Sequence, residues 1–272
     1  MQSNNPVFGR SEAFKGGQAG FDAAAPSAEE LQQMYGAPSA TPVQTGRMTY
    51  DDVVVKTGIT FGVLLVGAVI GWQAPQLALI GAIVGLVLGL VNSFKKNPSP
   101  ALILAYAAFE GLFVGGISNV FENMRAGFNA AGDPVYLDGI VAQAVLGTLC
   151  VFTVALVVYR QRWIRVTSKF RRVVMVAGIG YLVFSLINLL AVVFNWTDSG
   201  FGFRTGALGI GISIFAVILA SFFLMLDFDF IEKGVQGGLP AKFAWTAAFG
   251  LVVTLVWLYI EMLRLLAILR GD

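Results

Sequence analysis

The stretch Met225-Leu226-Asp227-Phe228-Asp229-Phe230 closes a long apolar run, beginning near Ala207, on two carboxylic acids where turn residues are expected. Two more acids, Glu110 and Glu261, stand inside other apolar runs. A charged side chain at the centre of a membrane helix costs about 3 kcal/mol or more, so each such acid needs a partner, an escape to the interface or a task. Helical neighbours sort them, because residues three and four apart share a face. Asp229 has Lys233 four residues later and reads as an interface acid in an ordinary ion pair. Asp227 has Phe223, Leu224, Phe230 and Ile231 at those positions, none able to pair with it. The two aspartates lie about 200° apart around a helix, so Asp227 is expected to face inward and find a partner on another helix. Glu261 has Arg264 three residues on, whereas Glu110 has Tyr106 and Val114 at its four-residue neighbours, and of these Tyr106 alone offers a hydroxyl.

A carboxyl group in a low-dielectric setting holds its proton more tightly, and two close carboxyls do so more strongly still. If Asp227 and Glu261 meet between helices six and seven, they titrate as one coupled pair. Sharing a proton holds the helices together; losing it creates repulsion or a place for a cation. Oxygen-only ligands suit hard ions, calcium above all. The residues alone thus reach a proton-sensitive acidic site around Asp227 and Glu261, and calcium, if it binds, is expected near them. The bland alternative is that the acids only specify helix packing, with Glu261 and Arg264 paired along one helix to lower the cost of insertion.

The elements that must position these acids follow from composition. Of the 272 residues 57% are apolar and 12% charged, about half the charged fraction of a soluble domain, and the mean hydropathy is +0.76. This is the composition of an integral membrane protein. With 18 basic and 16 acidic residues, nothing points to nucleic acid. There is no histidine, which excludes histidine-based metal sites and histidine-dependent triads; with no HExxH zinc motif or cofactor fingerprint, an enzyme is not expected. The single cysteine, Cys150, lies in an apolar run and reads as a packing residue.

Residues 1–48 differ from the rest, being rich in Gly, Ala, Ser, Pro, Gln and Asn, and read as a disordered tail. Within it, Ser27 and Glu30 make a short capping-box signal. Residues 49–272 form one domain with seven apolar runs, each near the roughly 20 residues that span a bilayer: about Val53–Trp72, Pro75–Phe94, a third ending near Val120, Ile140–Tyr159, Val173–Phe194, Ala207–Asp229 and Phe243–Leu269. Gly81, Gly85 and Gly89 in the second run, and Gly111 and Gly115 in the third, repeat at four-residue spacing, a face for close helix contact. The fold class is an all-α bundle of seven transmembrane helices. Arg160, Arg162, Arg165, Lys169, Arg171 and Arg172 fall between runs four and five, Lys95 and Lys96 between two and three, Lys233 and Lys242 between six and seven; the opposite connections hold only Arg125 and Arg204. The positive-inside rule places the N-terminus and the basic connections in the cytoplasm. Lys56 is expected to snorkel to that interface, and Glu122, at the far end of run three, to be solvated. No internal repeat favours a transporter.

Three motifs resemble one family. Ala107-Ala108-Phe109-Glu110-Gly111-Leu112 is similar to its third-helix Glu-Gly motif. Leu226-Asp227-Phe228-Asp229-Phe230-Ile231 is similar to the aspartate motif that ends helix six. Trp257-Leu258-Tyr259-Ile260-Glu261, followed by Leu263, Leu265 and Leu266, is similar to the acid-bearing helix seven. Over about Val53 to Arg270 the chain resembles the transmembrane Bax inhibitor motif (Bax inhibitor-1-like) family in a bacterial form, with the tail outside the resemblance. The resemblance implies a helix seven surrounded by the other six and a pH-sensitive calcium leak governed by paired acids on helices six and seven. Asp227 matches the first acid and Glu261 the second, which makes them the candidate pH sensor and gate, with Glu110 and Arg264 as candidates for the ion pathway or for supporting the gate; the second acid is usually aspartate, so the extra methylene of Glu261 changes its reach. The arginine that in some members latches an acid from helix two is absent from Pro75–Phe94, and Arg264 is a candidate substitute. The function expected is a non-enzymatic calcium leak in the bacterial inner membrane, without a cofactor, with lipid, calcium and other membrane proteins as partners. Some relatives suggest a second reading, a regulator that binds a partner such as a quality-control protease. A proton-coupled transporter is a third.

Overall fold

The computed structural model describes residues 45–128, 133–197 and 200–271. Seven helices among them are long and apolar enough to cross a membrane, the second and seventh counted with the 3-10 turns Pro75–Leu77 and Ala241–Phe243 that lead into them: α1 Tyr50–Gln73, α2 Ala78–Phe94, α3 Pro100–Glu122, α4 Ile140–Arg160, α5 Ser168–Val193, α6 Gly206–Gln236 and α7 Ala244–Gly271. Local chemistry sets their ends. Thr49 accepts the Asp52 amide at 3.0 Å while Asp52 accepts the Thr49 amide at 3.1 Å, closing a capping box on α1. Pro100 opens α3, where its missing N–H costs nothing. The α5 and α6 helices outrun their apolar stretches. The Thr167 hydroxyl caps α5 six residues before Val173, and α6 continues past Asp229 until Gly237-Gly238, where Gly238 takes φ +64°. A hairpin of β1 Arg125–Phe128 and β2 Pro134–Tyr136 joins α3 to α4.

Glycine decides how closely the helices pack. The α1–α3 contact is backbone on backbone: a Cβ on Gly71 would run into the Leu112 carbonyl, and one on Gly115 into the Ala68 carbonyl. The stripe read in run two packs α2 on α3, where a Cβ at Gly81 would come 2.6 Å from the Phe109 carbonyl oxygen. Such close approach gives dispersion contacts that lipid cannot replace. The α7 helix is the centre of the bundle: 61% of its apolar window is buried, against 11% to 44% for the others. It packs on α6, α1, α4 and α3, and α5 reaches it through Tyr181 on Trp257, ring centroids 5.5 Å apart; α2 sits outside, chiefly on α3. Outward faces are apolar, as Val54, Leu79, Leu86, Ile179 and Leu182 exemplify, so the surrounding solvent is the bilayer. Cys150 belongs to this outward face rather than to the packing.

The connections α2–α3, α4–α5 and α6–α7 gather at one end, called here the basic end. Lys242 donates to Asn97 at 2.8 Å, and Arg162 bonds Glu232 at 3.2 Å. The body begins before α1: Arg47 bridges to Pro240, and Met48, 1% exposed, donates its amide to Leu239 at 2.7 Å. The capping-box signal at Ser27 and Glu30, and the tail as far as Gln44, lie outside the described residues.

Candidate functional site

Asp229 keeps the lysine expected of it and gains an arginine. Its Oδ2 accepts from Lys233 and from Arg171 of α5, each at 2.7 Å. Its side chain is only 8% exposed, so this interface acid is itself buried and roofed by two solvent-reaching cations. Beside it, Glu232 accepts from the Tyr159 hydroxyl, from Arg162, and from Gln236 at 3.0 Å. These contacts tie the basic end of α6 to α4 and to the α4–α5 turn. Lys56 donates to the Ala241 carbonyl at 2.7 Å, so it braces the α6–α7 connection rather than simply snorkelling.

Asp227 faces the other way, as the 200° offset requires, and meets α7. Its Oδ2 accepts from the Thr254 hydroxyl at 2.7 Å. Gly250, one turn earlier on α7, leaves room for it: a Cβ there would lie 3.3 Å from Oδ1. Glu110 projects from α3 into the space beside Gly85, whose Cβ would come 2.8 Å from Oε2. Among the described residues Glu110 has neither an ion pair nor a hydrogen bond. The two acids lie at one depth. The α3 and α7 helices run in the same direction, with Tyr106 edge-on to Phe249 at 5.0 Å and Ser118 hydrogen-bonded to Tyr259 at 2.7 Å. Glu110, one turn beyond Tyr106, therefore falls level with the Gly250–Thr254 segment that receives Asp227.

Glu261 is elsewhere. It is two turns beyond Thr254 on α7, about 10 Å farther from the basic end. Its Oε1 accepts from Arg264 at 2.6 Å, and its Oε2 lies 3.3 Å from Arg204. The pairing of Asp227 with Glu261 expected from the sequence is thus not the arrangement of this structure: each acid has found a donor at its own depth, Thr254 for one and two guanidinium groups for the other. Arg264 takes the expected place beside Glu261 but shares it.

Arg204 is the residue that sequence reasoning missed, having been counted as a connection cation. It is 1% exposed. The connection before α6 turns inward at Gly202, φ +67°, and Asn188 of α5 clamps it, donating to the Phe201 carbonyl at 3.1 Å and accepting the Phe203 amide at 2.8 Å. The guanidinium then donates to Ser185 at 2.8 Å and stacks on Tyr181 and Phe184, with Cζ 5.0 and 5.1 Å from the ring centroids. The signal available was Gly200-Phe201-Gly202-Phe203-Arg204-Thr205-Gly206, too rich in glycine and aromatic residues for a solvated connection. Glu122, expected to be solvated, instead accepts the Gly139 and Val141 amides at 2.5 and 3.0 Å and so caps the positive end of α4. No group of three or more Asp, Glu, Cys or His side chains that would hold a metal ion assembles among the described residues.

The profile of the family described as Bax inhibitor 1 like matches residues 5–271, reaching well into the N-terminal segment that the motif resemblance left out. Comparison with curated proteins returned no match.

Proposed function

This chain belongs to the Bax inhibitor 1-like family, and from that premise we propose that it is a pH-sensitive calcium (cation) leak in which unneutralised acids draw the ion and an arginine-clamped acid closes the path. The observation that carries the reading is the contrast in depth. Asp227 and Glu110 stand level with each other, with no cation paired to either among the described residues. Glu261, two turns away, is held by two arginines. Carboxylate oxygens with a hydroxyl beside them are ligands for a hard cation. A carboxylate already neutralised by two guanidinium groups is not, so Glu261 acts as the gate only when Arg204 or Arg264 lets go. With no histidine in the chain, the pH response falls to the acids: protonation removes the charge that draws the cation, and flux falls with it. The basic connections orient that end to the cytoplasm, in the bacterial inner membrane.

The test is calcium entry into proteoliposomes loaded with a calcium dye. Asp227→Asn and Glu110→Gln are expected to cut flux about tenfold or more, as the loss of one charged ligand in a low-dielectric path implies, and to flatten its pH dependence. Glu261→Gln is expected to raise flux at a pH where the wild type is closed. Unchanged flux and pH profile in both Asp227→Asn and Glu110→Gln would sink the proposal.

A further inference from the structure

Between α1 and α4 a groove with a volume of about 520 Å³ runs in from the lipid-facing surface to the central helix. The α1 and α4 helices both pack on α7 but scarcely on each other, because the seating of Gly115 on the Ala68 backbone draws α1 onto α3 instead. They form the two walls. Val114 and Ser118 of α3, with Val256 and Tyr259 of α7, make the floor. The hydroxyls in the lining are already used: Ser118 bonds the Val114 carbonyl and Tyr259, and Thr148 bonds the Ala144 carbonyl. The rest of the lining is apolar as far as Trp72 and Gln73, which close one end. A buried water needs two to four polar partners, and this groove offers none along its length, so it is a space for hydrocarbon. Its walls are open to the bilayer, where Leu65, Val145 and Leu149 are exposed.

Depth identifies the occupant. Phe61 stands near the middle of α1 and Gln73 at its last turn, away from the basic end. The distance between them is about 18 Å at the helical rise, close to one leaflet's share, about 15 Å, of the hydrocarbon core. On α4 the lining runs from Val141 to Leu149, the half that also lies away from the basic end. The groove is therefore one leaflet deep, with an aromatic and an amide at headgroup level. We propose that it is a binding site for one acyl chain of a phospholipid from the leaflet opposite the basic end, with Trp72 and Gln73 beside the headgroup. Burial from water cannot drive this binding, since lipid is apolar already; packing does. A chain on a convex helix face is touched from one side, whereas a chain in the groove is touched by both walls and the floor, and each added contact gains dispersion energy. The seated chain reaches α7 between Thr254, which holds Asp227, and Glu261. It thereby gives the lipid composition of that leaflet a direct hold on the central helix. The site uses none of the acids and does not depend on the cation path proposed above.

The experiment uses the full-length protein, stripped of lipid in a mild detergent and titrated with a phospholipid brominated along its chains. Bromine quenches tryptophan on contact, and the difference between wild type and Trp72→Phe isolates the Trp72 signal. That signal should fall saturably, at a single lipid per protein. Val145→Phe, which puts a ring into the groove from its α4 wall, should raise the apparent Kd by about tenfold or more, the scale of overfilling a packed space. Leu146→Phe, on the adjacent outward face, should bind as wild type does. Unfolding temperatures in lipid-free detergent check that both variants are folded, and Leu149→Phe replaces Val145→Phe if that one is not. Quenching that never saturates, or the same Kd for Val145→Phe and Leu146→Phe, overturns the site. So does saturation with a brominated free fatty acid and not with the phospholipid. A lipid-free dimer that Val145→Phe breaks would give the groove to a second copy of the chain and overturn it too.

Discussion

The two polar layers of this bundle place similar acids in opposite electrostatic company. In the layer of Asp227 and Glu110, a carboxylate has one threonine hydroxyl or a glycine gap for company. In the layer of Glu261, the carboxylate is outnumbered by arginines, one of them fully buried. The difference lies in what the opposing helix surfaces supply. The α2 and α7 helices offer small residues, Gly85 and Gly250, which leave space but no charge. The α5–α6 connection folds back and delivers a cation. In the function proposed above, the first layer receives the ion and the second is held closed. A membrane protein can use a glycine to leave an acid without a charged partner and an arginine to neutralise one.

Three substitutions break or sharpen this contrast. The largest effect is expected from Arg204→Ala, which strips Glu261 of its buried partner and leaves Ser185 without its donor. Breaking one side of a buried pair costs about 3–5 kcal/mol, so the unfolding temperature in nanodiscs should drop by many degrees. A double-mutant cycle with Glu261→Gln should recover part of the loss. A near-zero coupling energy would mean that the 3.3 Å contact does not hold the layers apart. Next is Thr254→Val, similar in shape and lacking the donor to Asp227. Hydrogen bonds to charged groups are worth about 1.5–3 kcal/mol, and the loss should appear both in stability and in a shifted pH profile of calcium flux. An unchanged pH profile would mean that Thr254 does not tune Asp227. The smallest effect is expected for Lys233→Gln. Its side chain is 58% exposed, and Arg171 remains on Asp229, so the cost should be within about 1 kcal/mol and should shrink further in high salt. A larger loss would promote the basic end from a structural tie to a third working layer.

How much of this was legible in advance depends on the range of each interaction. Asp229 with Lys233, and Glu261 with Arg264, were readable because helical spacing alone brings them together. The inward aim of Asp227 was readable because no residue on its own helix could serve it. Thr254 was not, since no local signal distinguishes the one threonine of α7 that faces an acid. The glycine stripes announced close packing, yet whether Gly85 faces lipid, a helix or the Glu110 carboxylate depends on the rotation of α2 against α3. Arg204 was hidden for a different reason: a cation in a connection is ordinarily solvated, and only the inward turn at Gly202, held by Asn188, reverses that.

By itself the sequence determined seven membrane spans, their boundaries to within a turn or so at most ends, and the short list of acids that hydrocarbon cannot tolerate unaided. Hydropathy and helical periodicity act over a few residues and need no partner to be read. Tertiary structure alone decided which donors the acids meet across helices. It separated Asp227 from Glu261 by two turns, set Glu110 level with Asp227, and drove Arg204 into the bundle. Those outcomes rest on the depth and rotation of whole helices against one another, which are settled by glycine contacts and connection geometry summed over the bundle.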